Sequence, residues 1–209
     1  MPKIIQDLRS VLSVPSIYSL FGVLIGGIRC RRTFVDDHIR PIAGDRVLDI
    51  GCGPADIISY LPQVEYVGFD ASQEYINAAR KKFGDRGKFY CEQVSTEVSN
   101  KPFYFDSYFD TVLAIGILHH LNDDEALQLC QLARTALKPG GRLVTFDGCY
   151  VKNQSPCAKY LLAKDRGQFV RNQKGYVNII SQVFSNFVVH IHHDLLRIPY
   201  THIILECTK

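Results

Sequence analysis

"VLDIGCGPAD" (residues 47–56) is the stretch that decides the fold. Val47, Leu48 and Ile50 read as a short buried strand, interrupted by one acid, Asp49. The chain then turns through Gly51-x-Gly53-x-Ala55 and enters a helical stretch over 55–61. Seventeen residues past Gly53 stands Asp70, the last residue of a second apolar strand, "EYVGFD" (65–70). Small residues in the first turn let backbone approach a ligand, and an acid at the second strand end can grip two ribose hydroxyls. The pattern therefore predicts a site for a nucleoside-bearing ligand. A pyrophosphate is disfavoured, because Asp49 sits two residues before Gly51 and would repel it. The same acid suits a ligand that carries an ammonium and a sulfonium. The plain alternative is a tight turn in an unrelated α/β protein.

Strands and helices alternate outward from that loop. "SQEYINAARKKFG" (72–84) is a helix capped by Ser72 and ended by Gly84, with Tyr75, Ile76, Ala79 and Phe83 on one face. "KFYCEQV" (88–94) and "FDTVLAIG" (109–116) are further strands, the latter nearly all apolar, as a strand covered on both faces is. "DDEALQLCQLARTALK" (123–138) is a helix, and "RLVTFD" (142–147) follows it as a fifth strand. Helices near 155–164 and 174–184 precede "NFVVHIHH" (186–193) and "THIILECT" (201–208). The link between these last two strands is too short for a crossover helix, so they pair antiparallel. The fold class expected is α/β, a Rossmann-like seven-strand sheet. It is mostly parallel with an antiparallel C-terminal strand, and helices cover both faces.

The 209 residues fit one domain, with 1–40 as an N-terminal helical lid, 41–149 as the ligand-binding core and 150–209 as substrate-side helices and the strand pair. The net charge of +3 is too mild to announce nucleic acid. Seven scattered cysteines without a CxxC pair suggest reduced thiols in a cytoplasmic protein. The apolar run "IYSLFGVLIGGI" (17–28) is too short to span a bilayer and holds three glycines. No transmembrane segment is expected, although "RCRR" (29–32) directly after it leaves a membrane-surface helix open. "HIHH" (190–193) places His190 and His192 on one strand face, but two more zinc ligands are not near in sequence, so no metal is expected.

In order and spacing, "VLDIGCGPAD", "GFDAS", "FDTVLAIGILHHL" and "LKPGGRLV" resemble the class I S-adenosylmethionine (SAM)-dependent methyltransferases, over about residues 45–147. The resemblance is to the small-molecule type with an "LHHL" segment after the fourth strand. It implies SAM as cofactor and S-adenosylhomocysteine as product. Asp49, Gly51, Cys52 and Gly53 would surround the methionine part, Asp70 the ribose hydroxyls, and Ala71 the adenine. The backbone near Ile115 and Gly116 would lie against the amino-acid moiety. The family usually has an Asp after the third strand on the adenine amine. Gln93, followed by Val94, stands at that position, and its carbonyl can still accept a hydrogen bond.

Methyl transfer is a direct displacement that needs alignment, exclusion of water and, for some acceptors, removal of a proton. The signatures of base-modifying enzymes are missing after the fourth strand, so the expected partner is a small-molecule methyl acceptor, reacting at O, N or C, and not nucleic acid. His119, His120 and Asp147 are the catalytic candidates at the ligand edge of the sheet. Tyr18, Arg166, Arg171 and Tyr176 are the substrate candidates, the arginines for an anionic group. Phe21 beside Tyr18 reads more simply as core. A monomer or homodimer is expected. The competing readings are a protein or RNA methyltransferase, a non-catalytic SAM-binding protein and a nicotinamide-dependent oxidoreductase, which Asp49 counts against.

Overall fold

The structure, a computed structural model, describes residues 26–93, 106–164 and 167–209. Eight strands form the sheet: β1 (Arg46–Ile50), β2 (Glu65–Asp70), β3 (Gly87–Cys91), β4 (Phe109–Ile115), β5 (Leu137–Tyr150), β6 (Arg171–Asn172), β7 (Asn186–His192) and β8 (His202–Thr208). Their order is β3-β2-β1-β4-β5-β8-β7, with the two-residue β6 paired to β5 off this path. β8 runs antiparallel to both neighbours, and the other pairings are parallel. The seven-strand sheet with one reversed strand matches the sequence expectation, with β6 as a short addition.

Among the described residues five helices pack on the two faces: α1 (Gly27–Phe34), α2 (Gln73–Phe83), α3 (Asp123–Ala136), α4 (Pro156–Ala163) and α5 (Gln173–Ile180). On one face Leu129, Ala133, Ala136 and Ile180 of α3 and α5 meet Leu48, Val112, Leu143, Ile203 and Leu205. On the other, Phe34, Ile39, Ile76 and Phe83 meet Val47, Leu113, Val144 and Ile204. Each fully buried Leu, Ile or Phe contributes about 1.5–3 kcal/mol. The inner strands β1 and β4 are largely apolar on both sides for this reason, with Asp49 and Thr111 as buried exceptions.

The local signals act as expected, with shifts at the ends. Ser72 accepts from the Tyr75 N–H at the start of α2, and Asn122 forms a reciprocal capping box with Glu125 at the start of α3. The stretch after the glycine loop is a single tight turn, Asp56–Tyr60, and not an α-helix. α3 ends two residues early, because Leu137 turns extended and pairs with Phe109. A register shift follows, before Arg142 pairs with Thr111. The chain leaves β1 for β2 on one side and returns to β4 on the other. That reversal opens a crevice at the carboxyl ends of the strands, where ligands bind in such sheets. Among the described residues, no helix is long and apolar enough to cross a membrane.

Candidate active site

The glycine loop is bound to its neighbours by backbone. Gly51 has φ +73°, and its N–H donates to the Phe69 carbonyl at 2.8 Å. A Cβ there would fall 2.4 Å from Ile117 Cδ1, so only glycine fits. Gly53, at φ +53°, has nothing among the described residues within 4 Å of the place a Cβ would take. Asp70 ties the loop to β2: its Oδ2 accepts from the Gly53 N–H at 2.9 Å and its Oδ1 from the Ser72 N–H at 2.8 Å. A carboxylate fixed this way keeps further lone pairs for ligand hydroxyls.

Asp49 lies beneath that loop, 1% exposed. Its Oδ2 accepts from the Tyr66 hydroxyl at 2.5 Å, while its Oδ1 is buried with no partner among the described residues. Burial pushes its carboxyl up to about 7; the Tyr66 hydrogen bond opposes the rise and the charge of Asp70 adds to it. A cation next to Oδ1 would return Asp49 to its ionised form. The orphaned oxygen, Gly53 and the anchored Asp70 fit a cofactor with an ammonium, a sulfonium and a ribose. Tyr66 is a site residue that the sequence pattern did not expose. It points to Asp49 only because β1 and β2 pair with Asp49 opposite Gly68.

Cys52 is buried, and burial holds its thiol well above the ordinary range. Ala71 and Gln93 are exposed beside the carboxyl ends of β2 and β3, and Cys91 Sγ lies 3.6 Å from the Ala71 carbonyl. Ile115 is half-buried at the end of β4, and the Gly116 N–H donates to the Phe146 carbonyl at 2.7 Å. Val94, Tyr18, Phe21 and Arg166 lie outside the described residues, as does most of the expected lid.

The "LHHL" segment is a short turn, Leu118–His120. His119 is 7% exposed. Its Nδ1 lies 2.8 Å from Asp147 Oδ1, which also accepts the His119 backbone N–H at 3.2 Å. A carboxylate accepts, so Nδ1 carries the proton and the basic lone pair stands on Nε2. Asp147 Oδ2 is buried without a hydrogen-bond partner. Gly167 lies against the ring, where a Cβ would come 2.0 Å from Cδ2. His120 is exposed, its ring 4.3 Å from that of His119.

Three expectations need correction. Asp147 is 1% exposed and sits behind His119, so it positions the imidazole and does not face an acceptor. Tyr176 is 1% exposed and donates to the Gly148 carbonyl at 2.8 Å, so it belongs to the core. Arg171 spends its guanidinium on Leu118 O at 2.8 Å, Leu121 O at 2.7 Å and Asp123 Oδ1 at 2.7 Å. It bolts the histidine turn in place, and an anionic substrate would have to compete with those partners.

A mostly parallel sheet with a glycine loop, an acid at each of the first two strand ends and a histidine turn after β4 is the setting of a nucleoside-cofactor site. Residues 48–143 match the family model described as "Methyltransferase domain", and over that core the chain is similar to SAM-dependent methyltransferases. A relative, the ubiquinone biosynthesis O-methyltransferase of Idiomarina loihiensis, is 26% identical over 118 residues, covering 54% of this chain and 46% of the relative. The probable tRNA methyltransferase 9B of Mus musculus is 33% identical over 117 residues, covering 55% of this chain and 24% of the relative. The chain thus spans half or less of these two relatives. The fold is shared with the phosphoethanolamine N-methyltransferase 2 of Haemonchus contortus, solved with SAM. The TM-score is 0.65 at 16% identity, covering 86% of this chain and 52% of that one.

Proposed function

We propose that the protein transfers a methyl group from SAM to a small organic acceptor, with His119 on the acceptor side of the site. The observation that carries this is the His119–Asp147 pair, at 2.8 Å, placed where β4 and β5 end beside the glycine loop. SAM supplies an electrophilic methyl on its sulfonium. Asp49 receives the charged methionine end, Asp70 the ribose hydroxyls, and Ala71 with Gln93 the adenine. Ile115 and Gly116 line the amino-acid side. Asp147 holds His119 in one tautomer, and Nε2 takes the acceptor's proton when the acceptor has one to lose. The mild net charge favours a small acceptor over RNA.

Calorimetry with S-adenosylhomocysteine tests the cofactor half. Asp70→Ala removes two charge-assisted hydrogen bonds worth about 1.5 kcal/mol each, so binding weakens about 100-fold. An unchanged affinity overturns the assignment. For the acceptor half, labelled methyl from SAM is offered to phenols, amines and carbon acids, and in parallel to bulk tRNA and protein. Label in a small acceptor supports the proposal, and label only in tRNA or protein moves the acceptor to that class. Tight cofactor binding with no transfer to any acceptor makes this a SAM-binding protein.

A further inference from the structure

We propose that His38, His190 and Glu206 form a site for a divalent transition-metal ion of the kind that prefers imidazole, zinc first among them. The sequence offers only the "HIHH" pair, but the fold adds the missing partners from two distant places. His38 comes from the turn Val35–Ile39 that follows α1, and Glu206 from β8. One ligand atom from each of the three residues lies within 4.8 Å of the others. His38 Nδ1 is 3.0 Å and His190 Nε2 is 3.3 Å from Glu206 Oε1. Two ligands on one tetrahedral zinc stand about 3.4 Å apart, so these spacings need only side-chain adjustment.

A second observation is independent of the spacing. His38 is 4% exposed, and its Nε2 is buried with no hydrogen-bond partner among the described residues. His192, its ring 5.2 Å from that of His38, also buries an unpartnered Nε2. A buried ring nitrogen left without a partner is costly, and neither tautomer of His38 satisfies both of its nitrogens with the protein partners described. His192 lies on the same sheet face, outside the group of three.

Glu206 is prepared as a ligand. Arg40 and Arg142 both hold Oε2, so Oε1 alone faces the imidazoles. Burial alone would raise its carboxyl, but the His38 hydrogen bond and Arg40 outweigh it and hold Glu206 below the usual range. The two guanidiniums disfavour a hard cation held mainly by charge. They leave room for an ion whose bonds to imidazole are strong in themselves. On binding, each imidazole turns a lone pair to the ion and carries its proton on the other ring nitrogen. The ion would then pin the segment before β1 to β7 and β8.

This site lies on the α1 face of the sheet, opposite the His119–Asp147 pair, so its test does not rest on methyl transfer. Tag-free full-length protein, stripped with a chelator, is titrated with Zn2+ by calorimetry and with Co2+ by visible absorption. One ion per chain at micromolar affinity or tighter is expected, together with a tetrahedral cobalt band. His190→Ala should weaken binding tenfold or more while S-adenosylhomocysteine affinity stays unchanged. Glu206→Gln should weaken Zn2+ similarly. His193→Ala, outside the cluster, should bind Zn2+ like the wild type. The proposal is overturned if no stoichiometric ion binds, if His190→Ala binds as the wild type does, or if His193→Ala loses the ion equally.

Discussion

Each face of the sheet carries one buried imidazole held through Nδ1 by a buried carboxylate. His119 meets Asp147 at 2.8 Å on the α3 face, and His38 meets Glu206 at 3.0 Å on the α1 face. The carboxylates differ in their second oxygen. Glu206 Oε2 is taken by Arg40 and Arg142, whereas Asp147 Oδ2 is buried without a partner. Asp49 resembles Asp147, with one oxygen on Tyr66 and the other bare. A bare buried acceptor costs about 1–3 kcal/mol, so a fold that keeps two of them at one edge gives up stability there. The saturated acid ties elements together, and the two bare acids stand at the proposed cofactor and acceptor site.

The largest effect should come from removing the bare acid under the glycine loop. Asp49 has its carboxyl raised from 3.8 to about 7. The folded state therefore binds its proton more tightly than the unfolded state. Stability linked to Asp49 is fully present below about 3.8 and is lost as pH rises through about 7. Asp49→Asn should flatten that window and stabilise the cofactor-free protein above neutral pH by up to about 4 kcal/mol, while cofactor binding collapses. Thermal melts across pH, with and without S-adenosylhomocysteine, measure both. A variant that melts lower at every pH would place Asp49 with Glu206 as a structural acid.

Glu206→Ala should act in the opposite direction. It strands Arg142 and His38 in a buried setting and should cost about 3 kcal/mol in denaturant unfolding. Turnover per folded molecule should stay at the wild-type level. Asp147→Asn should leave stability within about 1 kcal/mol and lower turnover roughly 100-fold, because His119 loses the acceptor that fixes its tautomer. If turnover is unchanged, the two imidazole pairs are both structural and the comparison fails. The smallest effect is expected from the backbone. Ala55 stands at φ +57°, a region that favours glycine. Ala55→Gly relieves that strain but loses a buried methyl and gains unfolded-state entropy. Its net change in a denaturant melt should fall within about 0.5 kcal/mol.

Much of the fold was legible because local chemistry and global architecture agree. Ser72 and Asn122 start helices, the largely apolar β4 lies between two helix layers, and the short link after His192 brings β7 beside β8. The glycine loop was legible for the same reason, since Gly51 and Gly53 answer a left-handed backbone demand that favours glycine. The acceptor side was harder to read. Arg171, expected at a substrate, instead closes on carbonyls of the histidine turn, about 50 residues away in sequence. Tyr176, expected in the site, has its hydroxyl answered inside the core. Arginine and tyrosine offer the same donors to a ligand as to a backbone carbonyl, and one-dimensional spacing does not distinguish the two.

By itself the sequence determined the sheet, its helices and the position of the cofactor loop, because periodicity, caps and glycine geometry act over a few residues. Only the tertiary structure decided which acids keep a bare oxygen. Only it set Asp147 behind His119 and brought His38 and Glu206 to "HIHH" across 168 positions of chain. Hydrogen bonding and desolvation depend on what the folded chain places within about 3 Å, and that distance has no counterpart along the sequence.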